Sequence, residues 1–188
     1  MRVENIVFLL EERSSKNLID SIAPKILPEG VMYHSFFFDG KSDLEKNISL
    51  KMRGWLKPHT VFLIMRDQDS ADCKTVKEKL MAKCAESLVK DDRYMVRIAC
   101  HELESFFLGD LDAVRAAGYK VTLSKKFKNG YAKPDDLVNA AEELVKITGS
   151  AYRKVKGSRD ISKFMKLDGS NKSVSFNMLL SGIRKLVG

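Results

Sequence analysis

The sequence predicts an α/β fold: an open, mainly parallel, four-stranded sheet flanked by helices (Rossmann-like), with a basic, mainly helical C-terminal extension. Three observations lead to this. Four short apolar runs, Ile6–Leu10, Met32–Phe38, Val61–Met65 and Tyr94–Ala99, are rich in Val, Ile, Phe and Tyr. Runs of this kind, apolar on successive residues, suit strands covered on both faces. Helical patterns fall between them, and strict strand–helix alternation calls for right-handed crossovers and a parallel sheet. Finally, charge divides the chain: residues 1–119 hold 18 basic and 19 acidic side chains, residues 120–188 hold 15 and 6, so the net +8 resides in the last third. The expected division is 1–118 for the α/β part and 119–188 for the basic extension packed on it as one compact unit.

After the first strand, a helix over Ser15–Ile22 is expected to end at Pro24. After the second, Ser42-Asp-Leu-Glu45 has the form of a capping box. After the third, Cys73, Val76, Leu80, Cys84 and Leu88 make one helical stripe. After the fourth, Leu103, Phe106, Phe107 and Leu108 give another apolar face, and Trp55 sits on an apolar helix face. Beyond a basic, turn-rich stretch from Leu123 to Pro134, Asp135 or Asp136 can cap a helix running to Ile147, closed by Gly149. Tyr152–Ser158 is basic again, and a final helix spans Ser175–Leu186.

Composition excludes several classes. At 188 residues, 44% hydrophobic and 31% charged, the chain can bury a core without disulfides. Its three cysteines lack a Cys-x-x-Cys pair, which argues against zinc, and Cys73 and Cys100 read as buried packers in a reducing cytosol. No apolar run is long enough for a membrane span. The N-terminal segment reads as a strand and not as a signal peptide. The expected location is cytoplasmic, with no membrane partner.

The chemistry is read from where acids fall. Glu11 and Glu12 follow the first run, Asp67-Gln68-Asp69 the third after only Arg66, and Glu102 and Glu104 the fourth. In an open parallel sheet ligands bind beyond the carboxyl ends of the strands, so these acids converge on one edge. Helix capping explains one or two of them. Two carboxylates about 4 Å apart repel by roughly 4 kcal/mol at an effective dielectric near 20, more than the 0.3–1 kcal/mol or so that a helix N-terminus returns. A divalent cation removes the conflict, and oxygen-only ligands suit Mg²⁺ or Mn²⁺. His101-Glu102 does not open a zinc-protease motif, because residue 105 is Ser. Gly40-Lys41-Ser42 lacks the earlier Gly of a phosphate loop, although Lys41 can reach a phosphate.

A Glu after the first strand with Asp-x-Asp after the third resembles the Toprim arrangement, found in topoisomerases, bacterial primases, recombination-repair proteins and overcoming-lysogenization-defect nucleases. Phe-Leu-Leu-Glu11-Glu12, Asp39-Gly-Lys41-Ser-Asp43-Leu and Arg66-Asp-Gln-Asp69-Ser-Ala-Asp72-Cys resemble the bacterial domain-of-unknown-function family 4276. So do Arg97-Ile-Ala-Cys-His-Glu102-Leu-Glu104, Leu108-Gly-Asp110 and Asn171-Lys-Ser-x-Ser-Phe176, and together they span nearly the whole chain. By this resemblance Glu11 matches the first Toprim acid, and Asp67 and Asp69 the pair; Glu102 and Glu104 match the family's own Glu-Leu-Glu. Two positions depart from the Toprim pattern: Glu12 stands where Gly is usual, and the charge of Arg66 precedes the pair.

The resemblance implies a Mg²⁺- or Mn²⁺-dependent phosphodiester-cleaving protein acting on DNA or RNA, in phage defence or on a mobile element, with an ATPase encoded nearby as partner. Asp67 and Asp69 would hold the ion, Glu11 would be a second-metal ligand or general base, and Glu102 or Glu104 would complete the set. Lys41, Lys125, Lys126, Lys128, Arg153, Lys154, Lys156, Arg159 and Lys172 are the expected nucleic-acid contacts. Phe127, Tyr131 and Tyr152 either stack on bases there or pack the extension. Two alternatives stay open: a non-catalytic interaction module working with the ATPase, and phosphate transfer or hydrolysis on free nucleotides.

Overall fold

The computed structural model describes residues 2–127 and 130–188. Four strands, β1 (Asn5–Leu10), β2 (Met32–Phe37), β3 (Thr60–Asp67) and β4 (Tyr94–Ala99), form one sheet in the order β2-β1-β3-β4, with every pair parallel. Between them run α1 (Arg13–Ile26), α2 (Lys41–Arg53) and α3 (Cys73–Ala85). After β4 come α4 (Glu104–Leu108), α5 (Leu111–Ala116), α6 (Ala140–Ile147), α7 (Lys154–Ser162) and α8 (Val174–Val187). This is an open, all-parallel α/β sheet flanked by helices. No helix among the described residues is long and apolar enough to cross a membrane.

Strand side chains alternate between faces, and two cores result. Ile6, Phe8 and Leu10 with Val61, Leu63 and Met65 meet α1 and the C-terminal helices. Val7 and Leu9 with Phe62 and Ile64 meet α2 and α3. The first core joins both parts of the chain, since Leu144, Ile161, Phe176 and Ile183 of the C-terminal helices lie in it.

Several local expectations are overturned. β2 is an edge strand, half-exposed along its length and not covered on both faces. α1 runs through Pro24 to Ile26; a proline in the last turn forfeits one backbone bond while its fixed φ stays helical, and Leu18, Ile19, Ile22 and Ala23 are buried before it. α2 starts at Lys41 with Gly40 at its N-cap, so Ser42 already lies inside the first turn and builds no capping box, and Glu45 reaches Arg66 and Lys79 instead. The α3 stripe stops at Cys84; Leu88 has a φ of 64° and is 86% exposed. Trp55 lies beyond α2, packing on the second core with its indole N–H on Thr60 Oγ1 at 3.0 Å. Of the free cysteines only Cys84 is fully buried; Cys73 and Cys100 are half-buried.

Asp135 does not cap α6. It accepts from the Ser175 backbone N–H at 2.7 Å and from Ser173 Oγ at 2.6 Å, and so caps α8 from 38–40 residues away.

Candidate active site

Strand alternation divides the acidic edge into two clusters. On β3, Met65 belongs to the first core and Ile64 to the second, so Asp67 follows the first face and Arg66 the second. On β1, Leu10 belongs to the first face. Glu11 therefore continues the second face, and Glu12, still extended at φ −151° and ψ 169°, returns to the first.

The first cluster gathers Glu12, Asp67 and Glu104 around Lys154, the opening residue of α7. The ammonium lies 2.8 Å from Glu12 Oε1 and 4.0 Å from Asp67 Oδ2. Ser14 Oγ also donates to Glu12. Glu104 is wholly buried; its Oε1 accepts from Tyr152 Oη at 2.9 Å, whereas Oε2 has no hydrogen-bond partner. Burial pushes the Asp67 carboxyl well above the usual range, and Glu12, Glu104 and Glu11 add to this while Lys154 opposes it. Glu104 is raised as well, by burial, against the opposing Lys154 and Tyr152. Burial alone would lower the Lys154 ammonium, but Glu104 and Glu12 more than offset it and hold its pKa above the ordinary lysine value. Gly157 makes room here: a Cβ on it would lie 2.2 Å from the Tyr152 ring.

The second cluster is organised by Arg66, only 4% exposed. Its guanidinium reaches Glu45 at 2.9 Å, Asp69 at 3.4 Å and Glu11 at 3.8 Å, and donates to the Asp67 carbonyl at 2.9 Å. Lys41 adds a second cation to Asp69 at 3.0 Å and Lys79 to Glu45 at 2.7 Å. Glu11 Oε2 accepts from the Asp67 backbone N–H at 3.0 Å, which ties the two clusters together. The Glu11 carboxyl is raised by burial, a shift opposed by that hydrogen bond and by Arg66.

The acids predicted as one ligand set are thus distributed. Glu12 and Asp67 share Lys154, Glu104 is held by Tyr152, Glu11 and Asp69 share Arg66, and Glu102 points elsewhere, its Oε2 accepting from the Ala141 N–H at 2.8 Å at the start of α6. Among the described residues no three Asp, Glu, His or Cys side chains stand together in a way that could hold a metal ion. The donors of the first cluster nevertheless suit a hard divalent cation in type and charge: all are oxygen, one oxygen of buried Glu104 is orphaned, and a cation, the Lys154 ammonium, already stands among them. In their present spacing the ammonium pairs closely with Glu12 alone and stands 4.0 Å from Asp67.

Of the predicted nucleic-acid contacts, Arg153 stands at the N-cap position of α7 without a side-chain capping bond, while Lys154, Lys156 and Arg159 lie on the helix. Lys125 and Lys126 are exposed on a short 3₁₀ turn, and Lys172 lines a separate cleft with Asp110, Asp112, Arg115 and Lys166. Lys128 lies outside the described residues. Tyr131 and Tyr152 are 2% exposed and Phe127 packs against the same core, so these aromatics pack the extension and do not stack on bases. Sequence reasoning missed Glu12 and Glu45 as partners and Tyr152 as the donor to Glu104. The parity of Glu12 along β1 could have revealed the first; nothing local announces the other two.

The chain resembles the C-terminal region of the Burkholderia pseudomallei OLD protein, with a TM-score of 0.52 over 100% of both chains at 15% sequence identity. At that identity the likeness is one of fold, and the fold is Toprim-like. No curated protein matches the sequence. Residues 10–184 match the family model described as a domain of unknown function, DUF4276, and the chain belongs to that family.

Proposed function

We propose that the acidic edge is a Mg²⁺- or Mn²⁺-dependent site for cleaving phosphodiester bonds in nucleic acid. The observation that supports it best is the first cluster: three carboxylates, two of them buried, against one ammonium, with Glu104 Oε2 unpartnered at the carboxyl edge of the sheet. Asp67 and Glu104, with Glu12 beside them, would hold the ion, and Glu11 and Asp69 would lie on its second side. When bound, the ion supplies polarisation of a phosphate oxygen and a lowered pKa for the attacking water. Arg66 orients Glu11 and Asp69 and keeps their charge from opening the edge. Lys154, whose side chain is 45% exposed, balances the carboxylates and is placed to meet a substrate phosphate. The proposed setting is a bacterial cytoplasm, in phage defence or on a mobile element, alongside a partner ATPase.

Calorimetric titration of Mn²⁺ and Mg²⁺ into the protein and into Asp67→Asn tests this. Binding by the parent that the variant loses is expected. Because Mg²⁺ often needs substrate phosphates to complete its shell, the titration is repeated with a short oligonucleotide. Absence of binding in both conditions refutes the proposal.

One observation favours a second reading. Lys154 and Arg66 already neutralise much of the acidic edge, as a structural edge on a non-catalytic module of an ATPase assembly would require. In that case Asp67→Asn leaves biological activity intact, whereas disrupting the partner surface abolishes it.

A further inference from the structure

A cleft of ≈ 790 Å³ adjoins the first cluster, between the opening turns of α1 and α7, and Lys154 lines it. Arg13 and Lys16 come from α1, Arg153 from the residue before α7, Lys156 and Arg159 from α7, and Phe37 from the end of β2. Phe37 is 38% exposed and pairs in register with Leu10, the residue before Glu11, so its ring stands one strand from the acidic edge. The Arg13 guanidinium lies over this ring, 5.3 Å from its centroid.

The charges facing the cleft do not cancel. Lys16 pairs with Asp20, Asp160 is shared by Lys156 and Arg159, and Lys154 is taken by Glu12. Arg13 and Arg153 have no carboxylate partner among the described residues; Arg153 donates to the carbonyls of Ser150 and Tyr152 at 2.7 and 2.9 Å. Six cations therefore meet three acids around the cleft. Neither helix carries an acid in its first turn, and neither N-cap side chain makes a capping bond. Cations in a first turn oppose the helix dipole, a local cost that a bound anion would reverse.

We infer that this cleft takes a single-stranded polynucleotide, its backbone following Arg13, Arg153 and the α7 cations, with one unpaired base stacked on Phe37. This rests on reading the acidic edge as a phosphodiester site, and it adds the substrate class. The chemistry selects single strands because an exposed aromatic ring beside arginines matches the free face of an unpaired base. A duplex offers the same phosphates but buries its base faces in its own stack. The cleft draws Phe37 and Arg13 from the part of the chain whose net charge is −1, so composition alone gave no sign of it. Lys154 belongs to both cleft and cluster, so a phosphate bound there sits beside Asp67 and Glu12.

The test is fluorescence anisotropy with labelled single strands of about 12 nucleotides and the matching duplexes, in EDTA, across a salt series. The single strand is expected to bind more tightly than the duplex. Phe37→Ala should weaken single-strand binding roughly 5- to 150-fold, the affinity of one stacked base, and Phe37→Trp should retain it. Arg13→Gln with Arg153→Gln should reduce the salt slope by about 1.4, near 0.7 per phosphate contact. Equal or tighter duplex binding, indifference to Phe37→Ala, or no binding in EDTA would each overturn the inference. The two proposals separate cleanly. Single-strand binding that survives EDTA while metal titration fails keeps the cleft and removes the cleavage reading. Metal binding lost in Asp67→Asn, together with indifference to Phe37→Ala, does the reverse.

Discussion

Replacing Arg66 with Met tests how the edge is held together. The guanidinium is 4% exposed and serves Glu45, Asp69, Glu11 and the Asp67 carbonyl at 2.9–3.8 Å. Removing one partner of a buried ion pair typically costs about 3–5 kcal/mol, because the remaining charge is left uncompensated. Here part of that is cushioned. Asp69 is 39% exposed and keeps Lys41, a pair worth about 0–1 kcal/mol, and Glu45 keeps Lys79. Glu11 retains the Asp67 N–H. The expected loss is therefore near the lower end, about 3 kcal/mol, or a fall in Tm of roughly 6–12 °C for a chain this long. Urea denaturation with an unchanged m-value is the assay. Arg66→Met combined with Glu45→Met should lose less than the two single changes added together, since the pair is then removed and not broken. A loss in Arg66→Met within about 0.5 kcal/mol of parent, or strict additivity in the double variant, would refute the view that Arg66 is a buried electrostatic centre.

Two further outcomes follow from the same geometry. The folded-state pKa of Asp67 is raised, by burial first and by Glu12 next. Its contribution to stability is therefore full below the unfolded carboxylate value of about 3.9 and is lost as pH rises through the raised folded value. In EDTA, Asp67→Asn should gain stability relative to the parent as pH rises above the unfolded value of about 3.9; a difference that stays constant across a urea-denaturation pH series would contradict this. A Cβ on Gly157 would lie 2.2 Å from the buried Tyr152 ring, so Gly157→Ala should displace the Tyr152 hydroxyl from Glu104 and cost about 1–3 kcal/mol by overpacking. Unchanged stability and near-ultraviolet circular dichroism would show that the ring is not clamped.

Much of the fold was legible because the signals are local. The apolar runs became β1 to β4 with small changes at their ends, and the acids at those ends lie at the carboxyl edge that parallel strands must share. Where local signals compete, the sequence misled. Ser42 and Glu45 have the spacing of a capping box, but a buried guanidinium attracts Glu45 more strongly than an exposed helix end does. Asp135 has the look of a cap for the helix that follows, yet its partners come from α8.

The candidate site was legible in composition and not in arrangement. That carboxylates gather at the sheet edge follows from strand ends and alternation, which are properties of consecutive residues. Which cation each one meets does not. Lys154 reaches Glu12 from 142 residues away and Tyr152 reaches Glu104 from 48, and Phe37 faces Arg153 across a cleft formed only where α7 lies on α1. The sequence determined the strands, their alternation and the acids beyond them, because hydrogen-bond periodicity and side-chain parity act over a few residues. Tertiary structure alone decided the pairing of charges and the cleft beside them, because desolvation and Coulomb attraction depend on distances that only the packed helices set.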